Sequence, residues 1–144
     1  MFSWLKQLFL SNGVASSTGV LGERAAADFL RRERGFTIVA RNWRSPRDRR
    51  DEIDLVCRDG GTLAFIEVKT RSAGALVPGY EAVGPRKKKI LRRACSAYLR
   101  ALPAAARPVT FRFDIVEVAT HSDGTAPEIR HFENVPLFSK SYFG

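Results

Sequence analysis

The chain has 144 residues, 44% hydrophobic and 27% charged: one domain's worth of length with enough apolar material for a core, which excludes a wholly disordered chain. Its 24 Lys and Arg against 15 Asp and Glu leave a formal charge of +9, and that surplus points to a polyanionic partner, nucleic acid ahead of an anionic membrane. The two cysteines, Cys57 and Cys95, form neither a CxxC nor a zinc spacing, and His121 and His131 lack ligand spacing; this excludes a disulfide scaffold, zincins and Ser-His-Asp hydrolases, and a reducing cytoplasm is the expected compartment.

Met1 to Leu10 is apolar but only about half as long as a bilayer span. It also lacks the charged start and cleavage site of a signal peptide, so no stable membrane insertion is expected. Trp4, Leu5, Leu8 and Phe9 fall on one helical face, and Ser11 to Thr18 is a small polar linker; residues 1–18 therefore read as an amphipathic or flexible segment. The domain is expected over residues 19–135, with residues 136–144 as a tail.

Val20 to Arg34 carries a helical stripe of Leu21, Ala25, Ala26, Phe29 and Leu30, with Thr18 as its N-cap and Gly35 as its stop. Phe36 to Trp43 is rich in β-branched and aromatic residues and reads as a strand. A charged loop, Arg44 to Asp51, leads into a second strand, Glu52 to Arg58. Asp59-Gly60-Gly61 is a hairpin turn, and Thr62 to Thr70 is a third strand. After a loop holding Gly74, Pro78 and Gly79, Pro85 opens a helix running to about Leu102. Its apolar stripe is Ile90, Leu91, Ala94, Cys95, Tyr98, Leu99 and Leu102, and its other face carries Lys88, Lys89, Arg92, Arg93 and Arg100. Pro103 to Pro108 breaks the chain before a fourth strand, Val109 to Ala119, and Glu128 to Val135 is a candidate fifth, edge strand. The order is α-β-β-β-α-β with this further C-terminal strand. Strands two and three lack clean alternation, as in a sheet covered by helices on both faces.

The chemistry gathers around the hairpin. If Gly60-Gly61 is its loop, Asp54 stands opposite Glu67 and Glu52 opposite Lys69; if Asp59-Gly60 is the loop, Glu52 faces Glu67 with Asp54 diagonal. Either register puts all four side chains on one face. Facing carboxylates repel, and burial makes this worse unless a cation compensates. Oxygen ligands suit Mg²⁺ or Mn²⁺, and Lys69 adds a cation able to orient a water or hold a phosphate oxygen. The alternative is an ordinary cross-strand Glu–Lys pair on a surface hairpin, but Glu67 and Lys69 interrupt what otherwise reads as a central strand. Glu23 lies roughly 20° around the helix from Leu30, at the edge of the apolar stripe. From there it either completes a metal site or is a first-turn glutamate favoured by the helix dipole.

At these residues the chain resembles the PD-(D/E)XK nucleases, with Asp54 at the first acidic position and Glu67-Val68-Lys69 as the E-x-K half. More narrowly, Gly22-Glu23-Arg24-Ala25-Ala26, Arg41-Asn42-Trp43-Arg44, Glu52-Ile53-Asp54-Leu55-Val56, Phe65 to Arg71, Glu81-Ala82-Val83 and Arg112-Phe113-Asp114 together resemble the uncharacterised YraN-like bacterial family, itself likened to Holliday junction resolvases. The resemblance implies an α/β, restriction-endonuclease-like core, a central mixed sheet flanked by helices. It implies a metal held by Asp54, Glu67 and the Val68 carbonyl, with Glu23 as the helix-borne glutamate and Lys69 assisting the attacking water. Asp51 departs from the family, which usually has glycine there; it adds a carboxylate and bulk beside the site. The preceding loop, with Arg47, Arg49 and Arg50, is also longer.

Lys87, Lys88, Lys89, Arg92 and Arg93 cluster at the start of the second helix, Arg71 extends the catalytic strand, and Arg44 opens the loop before Asp54; these are the expected phosphate contacts. The expectation is a metal-dependent endonuclease acting on DNA ahead of RNA, on branched or repair intermediates. The alternative is a non-catalytic nucleic-acid-binding module with a retained site. Likeness to the resolvases implies a homodimer by analogy.

Overall fold

Residues 18–73 and 83–138 are described by the computed structural model. They form helix α1 (Thr18–Glu33), strands β1 (Thr37–Arg44), β2 (Glu52–Asp59) and β3 (Thr62–Ser72), helix α2 (Pro85–Ala101), a 3₁₀ turn at Ala104–Ala106, and strands β4 (Thr110–Thr120) and β5 (Glu128–Phe132). The expected N-terminal helical face and the 74–82 loop, with Glu81 and Ala82, lie outside the described residues. α1 begins at Thr18, so Thr18 is inside the helix rather than its cap, and Glu23 is beyond the first turn. Its end is as expected: Gly35 takes a left-handed φ of +71°, and the Phe36 N–H returns to the Leu30 carbonyl at 3.0 Å.

The sheet runs β1-β2-β3-β4-β5. The β1–β2, β2–β3 and β4–β5 pairs are antiparallel, and β3–β4 is parallel, joined across α2. A helix covers each face, which is why the central strands read as nearly continuous apolar runs. On one face Leu91, Ala94, Cys95 and Tyr98 of α2 pack on Val56, Leu63, Phe65, Phe113 and Ile115. On the other, Ala25, Ala26 and Leu30 of α1 pack on Leu55, Cys57, Ala64, Ile66, Val116 and Val118. The tail expected from residue 136 contributes to the first core: Leu137 is buried, Phe138 packs on Phe111, and Arg92 donates to the Leu137 carbonyl at 3.1 Å. Among the described residues no helix is long and apolar enough to cross a membrane.

A buried polar knot ties β5 to β4. Asp114 accepts hydrogen bonds from Arg112 Nε (3.0 Å), His131 Nε2 (2.9 Å) and the Asn134 N–H (2.9 Å). Burial pushes this carboxyl up, but the three donors outweigh it and hold it below the ordinary carboxylate range. His131, part of a polar stretch in the sequence, is in fact fully buried, its ring edge-on to Phe29 and Phe36.

α1 approaches β3 where its smallest residue permits: a methyl at Gly22 would overlap the Thr70 hydroxyl. Gly22→Ala is expected to push α1 off β3 and destabilise the chain by about 1–3 kcal/mol in urea unfolding, with part of the loss recovered by adding Thr70→Ala. An unchanged midpoint would show that this contact does not set the helix position.

Candidate functional site

β2 and β3 leave the Gly60-Gly61 turn with Asp59 opposite Thr62 and stay paired to Leu55 opposite Ile66, the first of the two registers open to the sequence. The next step of that register brings Asp54 across from Glu67. There a side chain takes over from the ladder: the Val68 N–H donates to Asp54 Oδ2 at 2.8 Å. Strand alternation changes phase at this point. Ile53 packs in the α2-side core and Leu55 in the α1-side core, although residues two apart on a regular strand share a face. Beside them on β1, Asn42 has a left-handed φ of +49°, while the pairing runs on in one register from Arg41–Leu55 to Trp43–Ile53, the shift of this pair lying between Ile38 and Ala40. Asp54 is aimed at the β3 main chain.

The four charges expected on one face therefore part company. Glu52 does not face Lys69; it pairs with Arg44, 3.4 Å away. Lys69 Nζ lies 3.5 Å from Glu67 Oε1, and Lys87 Nζ, from the first turn of α2, lies 3.6 Å from the same atom. Glu67 is 4% exposed. Burial, and then the Glu67 charge, push Asp54 up from 3.8 to about 7, against the Val68 N–H and the Lys87 charge; a side-chain hydrogen bond to Glu67 adds to the rise. Asp54 is thus a carboxyl held near a second buried carboxyl at a cost to its own ionisation. In a strand, the N–H and C=O of one residue leave on the same side. The Val68 carbonyl accordingly faces the same gap between β2 and β3.

Glu23 comes to this gap from α1. Burial raises its pKa, the charges of Asp54 and Glu52 raise it further, and a hydrogen bond from the Asn42 side chain lowers it. Glu23, Asp54 and Glu67 are neighbours in charge but do not close into one cluster: among the described residues no three His, Cys, Asp or Glu are gathered to hold a metal ion. Asn42 was not singled out by sequence as a site residue. The available signal was an asparagine in a strand otherwise rich in β formers, a residue that tolerates left-handed backbone.

Asp51 turns away from the gap. It is buried and gripped by Arg93 of α2, whose Nε lies 3.0 Å from Oδ2, while its carbonyl accepts from the Ser45 N–H at 2.9 Å. The bulk expected to crowd the site instead anchors the β1–β2 loop to α2. Of the expected phosphate contacts, Lys89 is exposed and Lys88 half-buried on the first turns of α2. Lys87 is held at Glu67, Arg44 at Glu52 and Arg92 at Leu137. Arg71, next to the last residue of β3, has its Nε buried and, among the described residues, without a hydrogen-bond partner.

A carboxyl whose folded pKa is raised contributes its full stability below the unfolded value and loses it as pH rises through the folded one. The melting temperature of the wild-type chain is thus expected to fall as pH climbs from about 4 to above 7. Asp54→Asn keeps an acceptor for Val68 and should flatten this fall; an identical pH slope in the two chains would mean that Asp54 ionises without cost.

A model of the uncharacterised protein family UPF0102 matches residues 22–118, the span from Gly22 through both faces of the gap to the end of β4. A UPF0102 protein of Chlorobium phaeobacteroides is 44% identical over 115 residues, covering 80% of this chain and 86% of the relative. One from Symbiobacterium thermophilum is 45% identical over 106 residues (74% and 85%), and one from Koribacter versatilis is 42% identical over 122 residues (85% and 80%). With the motif-bearing core matched from end to end, the chain belongs to the UPF0102 family.

Proposed function

We propose that this chain is a divalent-cation-dependent endonuclease of the PD-(D/E)XK kind, hydrolysing phosphodiester bonds in DNA, branched or repair intermediates in particular. The observation that carries this reading is the Asp54 carboxylate, taken out of the strand's alternation, bonded to the Val68 N–H and set against a second buried carboxylate, Glu67. Structural needs alone would favour an apolar residue at either place. The donors fit a hard cation: two carboxylates and the Val68 carbonyl, all oxygen, with the carboxyls repelling each other until a positive charge joins them.

Asp54, Glu67 and the Val68 carbonyl would hold Mg²⁺ or Mn²⁺, with the Glu23 carboxyl adding its charge from α1. Such an ion supplies a Lewis acid and a water of lowered pKa. The protein's own part is positional. Lys69, alongside Glu67, directs its ammonium to the attacking water or to the phosphate oxygen where charge develops. Lys88, Lys89 and the amide-rich start of α2, which has no acidic residue in its first turn, attract the backbone phosphates. These contacts carry no base information, so recognition follows backbone and shape.

A non-catalytic nucleic-acid-binding module is the second reading, and the two ammoniums on Glu67 favour it, since they already balance its charge.

Cleavage of duplex, flap, four-way and single-stranded DNA with Mg²⁺ or Mn²⁺ separates the two. The nuclease reading expects cation-dependent turnover that drops by about 10²–10³ in Lys69→Ala, with DNA binding kept. Glu67→Gln should lose the cation response and turnover together. DNA binding without cleavage of any substrate, or a Lys69→Ala chain that cleaves at the wild-type rate, would leave the binding module as the better account.

A further inference from the structure

Glu117 is the buried charge that the site does not use. It sits in β4 directly across the parallel ladder from Lys69, and strand alternation puts both on the α2 side of the sheet. It is fully buried, and among the described residues neither of its carboxylate oxygens has a hydrogen-bond partner. Buried carboxylates left bare are rare because they are costly, and one in a native fold calls for an explanation. Burial raises its pKa, and Arg130 and Arg71 only partly offset that. Arg130, its partner across β5, is engaged 3.9 Å from Glu128. Arg71 stands one pleat further along β3, opposite Ala119.

Lys69 is the cation whose present seat is contested. Its ammonium is on Glu67, the carboxylate that a divalent ion would claim, and a shared Glu67 would press two positive charges together. The geometry points to Glu117 as the second seat for the Lys69 ammonium, taken when the charge of Glu67 is engaged elsewhere. Glu117 is then a positioning residue: it draws Lys69 off Glu67, lowers the cost of cation entry and fixes the ammonium beside the gap. This rests on the nuclease reading for its trigger, but the seat itself can be tested without a metal.

Two double-mutant cycles on the full chain do so. In the first, Mn²⁺ binding is measured by calorimetry. Glu117→Gln is expected to weaken Mn²⁺ about fivefold or more when Lys69 is present, and less than twofold in a Lys69→Ala chain. A merely structural Glu117 would show equal effects in both. In the second, without metal, Glu67→Gln empties the first seat by mutation. Glu117→Gln should then lower the melting temperature of the Glu67→Gln chain while leaving that of the wild type unchanged or higher.

Loss of the coupling on Arg71→Gln rather than on Lys69→Ala would give the seat to Arg71 and overturn the proposal, as would the absence of coupling in both cycles. A chain that ignores Mn²⁺ yet shows the melting effect only with Glu67→Gln supports the second seat while removing the metal reading above.

Discussion

One hydrogen bond organises the molecule: the Val68 N–H on the Asp54 carboxylate. It spends a strand's main-chain donor on a side chain, where the β2–β3 ladder ends at Leu55 and Ile66, and brings Asp54 into a gap where burial and the Glu67 charge make it harder to ionise. Both faces of the sheet serve that gap. α1 brings Glu23 from one side, seated by the close approach of Gly22 to Thr70. α2 brings Lys87 from the other and is tied to the strand's entry loop by Arg93 on Asp51. The Asp114 knot, on β4 opposite Ile66, ties β5 to β4.

Much of this was legible in the sequence because its causes are local. The Gly60-Gly61 turn sets the register of a tight hairpin, and that register alone puts Asp54 near Glu67. The helices and strands follow from apolar spacing, and strands covered on both faces announce themselves by their missing alternation. The position of Glu23 at the edge of its stripe was also readable, although its choice between dipole and site was not. The α1 start at Thr18 removes the first-turn reading.

What the sequence hid was non-local. Strict two-residue periodicity put Glu52, Asp54, Glu67 and Lys69 on one face. The phase change at Asp54, which puts Ile53 and Leu55 on opposite faces beside the left-handed Asn42 of another strand, has no counterpart in periodicity. The role of Asp51 depends on an arginine 42 positions away. The burial of Leu137, in the expected tail, and of the His131 side chain, in the expected fifth strand, likewise depends on where the chain returns after β4. These are tertiary contacts overriding local pattern.

We propose that the Asp54–Glu67 gap holds a hard divalent cation. Crystals grown or soaked in millimolar MnCl₂ and measured for anomalous scattering test it most directly. One strong anomalous peak is expected, enclosed by the Asp54 and Glu67 carboxylates and the Val68 carbonyl and absent from Asp54→Asn crystals treated alike. A map with no peak in that gap, or with manganese bound only elsewhere on the chain, would contradict it.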